Sequence, residues 1–189
     1  MNTPSPTQPS PPRSRRAAQL EMRPSPPSGA RGSRGAVTTA QYYLPAGMPA
    51  PVPEADGLDK PYWEGTRRGE LMVQRCRSCR AWQWGPEWIC HACLSFDMSW
   101  ERIEGRGVIY SWERAWHPVH PALKDHGPYV VVVVELPHAG NIRMLGNLLG
   151  DPRQLVRIGA PVEAVFEPHD DAKVPFTLVH WRLSERSAA

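Results

Sequence analysis

Apolar and polar positions change rhythm along the chain, and each change marks an element. LDKPYWEGTRRGE (58–70) reads as a short helix. Asp59 stands at its N-cap, Pro61 in its tolerant first turn and Gly69 near its end. LMVQRC (71–76) then alternates as a strand, and Tyr62 and Trp63 are placed to pack the helix onto the cysteine-bearing segment. From Glu104 onward the period is two. GRGVIYSWERAW (105–116) is a strand with Gly105 and Gly107 placed for a bulge or bend. PYVVVVVEL (128–136) and IRMLGNLL (142–149) are two more, joined through the turn PHAGN. DPRQLVRIG (151–159) interrupts the alternation and predicts a short helix, with Asp151 capping, Pro152 in the first turn and Gly159 after the end. PVEAVFE (161–167), with Val162, Ala164 and Phe166 on one face, and FTLVHWRL (176–183) complete five strands. The fold class is therefore mainly β. Five strands with one short helix between the third and fourth match an oligonucleotide/oligosaccharide-binding (OB) barrel.

The second of those strands is apolar on both faces. Val130, Val132 and Val134 point one way, and Val131 and Val133 the other. One set fills a barrel; the other needs cover from the rest of the chain or from a partner.

Composition alters the picture chiefly at the N-terminus. Residues 1–36 hold eight of the 22 prolines, six serines and six arginines against the single acid Glu21. Such a stretch cannot bury enough apolar surface to offset its ordering entropy, so residues 1–54 read as a disordered tail and linker. Met48 is a candidate start, and a chain beginning there is expected to keep full stability. The prolines disfavour the amphipathic helix of an organelle transit peptide, and no secretory apolar core is present. The longest apolar run, Tyr129 to Val134, is far short of the ~20 residues that span a bilayer. The expectation is a cytoplasmic protein with no membrane partner. The net charge of +3 belongs to the tail: without residues 1–36 the remainder carries −2, which does not attract nucleic acid.

The sharpest chemistry lies in CRSCRAWQWGPEWICHAC (76–93), where Cys76, Cys79, Cys90 and Cys93 have the spacing C-x2-C-x10-C-x2-C. Each two-residue gap builds a knuckle that turns two thiolates toward one ion, and two knuckles complete a tetrahedron. The competing reading, two disulfides, needs an oxidising compartment. Zinc is favoured over iron, because Arg80 and Leu94 occupy the positions after each pair where rubredoxin-type iron knuckles usually have glycine. With four thiolates bound, no coordination position is open, so the expected zinc is structural and no catalytic residue is assigned to it. Arg67, Arg68, Arg75, Arg77 and Arg80 crowd the site as local neutralisation or as a phosphate patch. Trp82, Trp84 and Trp88 are expected to cover apolar surface around it. A loop bearing His117, His120, Asp125 and His126 offers a second metal site or a general base, though nothing in the spacing fixes its geometry. The strand-two and strand-three surface offers Tyr129 and Arg143, and PHDDAKVP (168–175) is acidic, so a nucleic-acid module is the alternative reading rather than the favoured one.

The runs ADGLDKPYWEGTRRGELMVQRCRSC, CHAC, GRGVIYSW, GPYVVVVVELP, IRMLGNLLG and RIGAPVEAVFE, in this order from about Ala55 to Leu183, resemble the acyl-CoA-associated OB-fold family with a rubredoxin-like zinc ribbon, once called domain of unknown function 35. The resemblance implies a helix and zinc ribbon over residues 55–100 and an OB-fold domain over 101–184. It implies Cys76, Cys79, Cys90 and Cys93 as zinc ligands. It also implies an accessory subunit, not catalytic alone, that supports a thiolase-fold or hotdog-fold hydratase partner in acyl-CoA metabolism, including sterol side-chain degradation, with a CoA thioester as a candidate ligand of the complex. It assigns no CoA contacts to particular residues.

Overall fold

The computed structural model describes residues 42–43, 45–51, 53, 56–117 and 119–184. Among them are one α-helix, α1 (Lys60–Arg67), and eight strands in two sheets. A three-stranded antiparallel sheet has the order β2-β1-β3, built from β1 (Leu71–Cys76), β2 (Trp82–Gln83) and β3 (Met98–Ile103). A five-stranded sheet has the order β6-β5-β4-β7-β8, from β4 (Arg106–Ala115), β5 (Tyr129–Leu136), β6 (Ile142–Asn147), β7 (Pro161–His169) and β8 (Phe176–Leu183). A parallel bridge from Leu148 to Trp181 ties the end of β6 to β8. It brings the two edge strands together and nearly closes the barrel, leaving little free edge.

The pleat sorts the valines as the alternation requires. Val130, Val132 and Val134 have no exposed surface and meet Ile109, Val162 and Trp181 in the barrel core. Val131 and Val133 are half-buried on the outside, beside Glu113 and Ser111 of β4 and Asn147 and Leu145 of β6. Leu71, Val73 and Ile103 of the small sheet belong to the same hydrophobic cluster as the barrel valines. The two sheets thus share one core. On α1, Asp59 does not cap the helix through its side chain; its Oδ2 accepts the indole N–H of Trp63 at 2.7 Å. Tyr62 packs edge-on against Trp84, holding the helix to the small sheet.

Two sequence expectations need correction. Residues 151–159 form turns, not a helix between the third and fourth barrel strands. The Asp151 carboxylate accepts the N–H of Arg153, and the guanidinium of Arg114 donates to the carbonyls of Pro152 and Gln154 at 2.8 and 2.7 Å. Those carbonyls are satisfied from a strand some forty residues away, so the segment needs no helical ladder. The bulge in β4 falls between Ile109 and Ser111, at Tyr110, and not at the glycines. Gly107 answers a different need: a Cβ there would lie 2.5 Å from the carbonyl oxygen of Glu135. It lets β4 and β5 approach.

Tail residues 1–41 lie outside the described residues. Beyond them, Tyr42 and Tyr43 rest on the barrel. Tyr42 stacks on His169 (ring centroids 3.9 Å apart), which stacks on Phe176, and the Tyr42 hydroxyl donates to Asp171. The backbone N–H of Tyr43 donates to Glu167 Oε2 at 2.8 Å, and its ring leans on His180. His180 is fully enclosed, and its burial holds its pKa below the usual histidine range. A chain beginning at Met48 loses these contacts. Its thermal unfolding is therefore expected to show a loss of about 1–3 kcal/mol, in place of the unchanged stability that composition suggested. An unaltered midpoint would show that the two tyrosines contribute nothing.

Candidate metal centre

The two cysteine knuckles are built by the same backbone device used twice. Cys76 ends β1 and its carbonyl accepts the N–H of Arg80; the carbonyl of Cys90 accepts the N–H of Leu94. Cys76 N–H donates to Ala81 and Cys90 N–H to Ser95. Each turn ends in a left-handed residue, Arg80 at φ 65° and Leu94 at φ 58°. These are the positions where the sequence lacks the usual glycines, and side chains there carry backbone strain of roughly 1–3 kcal/mol each.

The four sulfurs converge. Their Sγ atoms all lie within 4.8 Å of one another, with Cys76–Cys93 and Cys79–Cys90 each at 3.6 Å. No disulfide joins them, and the separations suit ligands of one tetrahedral ion, for which Zn–S bonds of ~2.3 Å place sulfurs about 3.8 Å apart. Cys76 and Cys90 are buried, Cys79 and Cys93 exposed. Backbone N–H groups favour thiolate. The Cys76 thiol is pulled down to about 6, first by the N–H of Cys79, and Cys90 is lowered by the N–H of Cys93. Cys93, despite a hydrogen bond from the N–H of Ser95, is pushed up to about 12, first by the neighbouring thiol of Cys79. The clustered sulfurs cannot all ionise without a cation among them. Soft thiolates alone, with no hard oxygen donor in the set, fit zinc or iron.

Two buried glutamines, which no sequence motif singles out, set the loop between the knuckles. Gln74 on β1 and Gln83 on β2 face each other in register. The Gln74 amide donates to the carbonyl of Glu87 (3.1 Å) and accepts its N–H (3.0 Å). The Gln83 amide donates to the carbonyl of Ile89 (3.2 Å) and accepts the N–H of His91 (2.8 Å), gripping both sides of Cys90. The signal available was a glutamine in each of two short strands, Gln74 after Val73 and Gln83 between Trp82 and Trp84. Replacing Gln83 by Leu strands two backbone groups and is expected to cost about 2 kcal/mol and to speed metal loss to a chelator. Metal release at the parental rate would contradict the clamp.

The surrounding charges are largely paired. Arg75 and Arg80 both reach Glu101 (3.0 and 3.3 Å), Arg77 reaches Asp97, and Arg68 reaches Glu70. This fits local neutralisation better than a phosphate patch. Trp82 lies under the Arg75 guanidinium and, with Trp84, packs on the core; Trp88 is exposed, contrary to the covering role expected of it. Among the described residues the cysteines form the only cluster of candidate metal ligands, so the histidine loop does not assemble a second one. His120 Nδ1 instead accepts the N–H of Ala122, capping a 3-10 turn at Pro121–Leu123, and His117 is exposed. On the outer barrel face Arg143 pairs with Glu135 and stacks on Tyr110, leaving little cation for a phosphate backbone.

Comparison with known proteins places this architecture. Residues 63–99 match the ChsH2 rubredoxin-like zinc ribbon domain, and residues 100–167 match the ChsH2 C-terminal OB-fold domain. The solved "Ltp2-ChsH2(DUF35) aldolase" chain is 31% identical, with a TM-score of 0.58, over 72% of this chain and 98% of that one. The chain belongs to the ChsH2 family. Among curated relatives it is 38% identical over 107 residues to the "Probable enoyl-CoA hydratase alpha subunit" of Thermomonospora curvata, covering 55% of this chain and 32% of that protein. It is 29% identical over 157 residues to the "3-oxo-4,17-pregnadiene-20-carboxyl-CoA hydratase alpha subunit" of Mycobacterium tuberculosis, covering 76% of this chain and 47% of that protein. The chain thus spans less than half of the length of each of these two relatives. The ChsH2 zinc ribbon and the four gathered cysteines together support a structural zinc. No helix among the described residues is long and apolar enough to cross a membrane.

Proposed function

We propose that this chain is a non-catalytic accessory subunit of an acyl-CoA-processing complex in the cytoplasm, binding and supporting a thiolase-fold or hydratase partner. The observation that carries the reading is the match, at 31% identity, to nearly the whole of a ChsH2 chain solved as an Ltp2-ChsH2 aldolase. In this reading Cys76, Cys79, Cys90 and Cys93 hold one zinc, which fixes the ribbon and supplies no chemistry to the substrate. The chain divides into a tail over 1–54, the helix and ribbon over 55–100 and the OB domain over 101–184.

Exposed apolar side chains support a partner. Leu94 and Phe96, at and just after the second knuckle, are 68% and 77% exposed, and Leu145 lies open beside Val133 on the outer barrel face. Apolar anchors of this kind dominate affinity at protein interfaces when buried. The test is co-expression with a thiolase-fold or hydratase subunit and size-exclusion chromatography. Co-elution as one complex is expected; separate elution with both kinds of subunit, together with salt-dependent retention of single-stranded DNA, would replace this reading with the nucleic-acid one.

A further inference from the structure

Tyr42, Tyr43 and residues 45–48 cross the mouth of the barrel as a strap. Tyr42 stacks on His169 at the end of β7, and its hydroxyl donates to Asp171 in the loop to β8. The Tyr43 N–H donates to Glu167 Oε2 at 2.8 Å, and the Tyr43 ring covers His180, with centroids 5.1 Å apart. At the far end Gly47 lies against Ala122, in the loop between β4 and β5. The strap thus runs from the loop joining the fourth and fifth barrel strands to the loop joining the first and second. Between these two loops OB barrels hold their ligands.

The strap fits this mouth incompletely. A cavity of about 290 Å³ stays open beside Tyr43 and Pro45, walled by Leu123, Asp125, His126 and Tyr129 among others. His180 is 2% exposed, and its Nδ1 has no hydrogen-bond partner among the described residues. Its Nε2 comes no nearer than 3.5 Å to Glu167 Oε1, which His169 already engages at 2.8 Å. A buried nitrogen without a partner is a cost that a better-fitting occupant relieves. The rim at the Tyr42 end is acidic, with Asp170 and Asp171 exposed against Lys173. What holds the strap would hold any extended chain of the same chemistry: a carboxylate accepting a backbone N–H, two ring slots and an acceptor for a hydroxyl.

We infer that the barrel mouth is a docking site for an extended segment of a partner protein, carrying two adjacent aromatic residues with a cation before them, and that this chain's own strap occupies it as an autoinhibitory contact. The aromatics take the ring slots on His169 and His180, and the cation meets Asp170 and Asp171. The open cavity admits a side chain bulkier than Pro45. Tethering gives the strap a high effective concentration, so a partner segment must bind the mouth better than the strap does to displace it. The inference rests on the accessory reading above only for the source of that segment.

The experiment is fluorescence anisotropy with a labelled peptide of residues 40–49, AQYYLPAGMP, added to the full chain and to its Tyr42→Ala/Tyr43→Ala variant, whose mouth is open. Saturable binding to the variant is expected, about tenfold or more tighter than to the parental chain, and lost when both tyrosines of the peptide are replaced by alanine. Gln41→Lys in the peptide is expected to tighten binding about threefold at low salt, a gain that Asp170→Asn with Asp171→Asn in the protein removes. Melting curves and zinc content check that each variant is folded. Tyr42→Ala alone, which leaves His180 covered, is expected to bind the peptide at intermediate strength and serves if the double variant does not fold. A peptide that binds neither variant, or binds the parental chain equally well, overturns the site. So does concentration-dependent dimerisation of the parental chain that the double substitution abolishes, which would make the occupant a second copy's strap. A thiolase-fold or hydratase subunit that co-elutes with the chain is expected to release the labelled peptide from the variant. Co-elution without release overturns the docking site and leaves the accessory reading standing. If the peptide binds as stated and no such subunit co-elutes, the mouth stands as a peptide site and the accessory reading falls.

Discussion

Cys90→Ser is expected to empty the metal centre and unfold the ribbon, taking zinc from about one per chain to about none. Cys90 is buried, its carbonyl anchors the second knuckle, and the Gln83 amide grips the residues on either side of it. Three remaining thiols cannot complete the tetrahedron, and zinc at sites of this type contributes apparent binding energies of roughly 10–16 kcal/mol. The small sheet has little else to hold it. Because Leu71, Val73 and Ile103 share the barrel's hydrophobic cluster, the damage is expected to reach the barrel as a lowered melting midpoint. Elemental analysis with thermal circular dichroism checks both effects. A variant that keeps one zinc and the parental midpoint would show that the cysteines do not act as one site.

The second large effect distinguishes the two faces of β5. Val132 has no exposed surface, and its neighbours in the core are apolar. Val132→Asp buries a charge without a partner, at a cost of several kcal/mol, which exceeds much of the 5–15 kcal/mol that holds a typical domain together. This variant is expected to be unfolded or insoluble at 25 °C. One residue away, Val131 is half-buried on the outer face beside Glu113 and Asn147. Val131→Asp meets solvent and one like charge, and is expected to cost about 1 kcal/mol while abolishing assembly with a partner that covers this face. Melting curves of the pair check the first claim and co-elution the second. Equal destabilisation by both substitutions would mean that the register of the strand is wrong.

Features set by near neighbours in the chain were legible in the sequence, and features set by distant partners were not. The knuckles were readable because their geometry is local, two residues of spacing in each. The barrel strands were readable because alternation is a property of neighbours, and the five valines sort onto their two faces as the pleat demands. The segment 151–159 does not form the helix its pattern suggests because its carbonyls are satisfied by Arg114, a partner that no local pattern reveals. Gly107 stands out in the sequence but for a different reason than a bulge, since the atom it accommodates belongs to Glu135 on the neighbouring strand. Tyr42 and Tyr43 are absorbed into a proline-rich linker when composition is averaged over the window. Adjacent aromatics in such a stretch were the available sign of a contact. The Gln74 and Gln83 clamps were hidden because a glutamine in a short strand declares itself only when the loop it serves folds over it.

Under the proposed function, this chain supports another subunit's chemistry and performs none itself. The most direct measurement is turnover of an acyl-CoA thioester by the purified chain, by a thiolase-fold or hydratase partner, and by the two together. No turnover is expected from the chain alone, with higher activity or stability of the partner in the complex. Turnover by the chain alone that is lost in a His117→Ala or His120→Ala variant would contradict it and make this protein the enzyme.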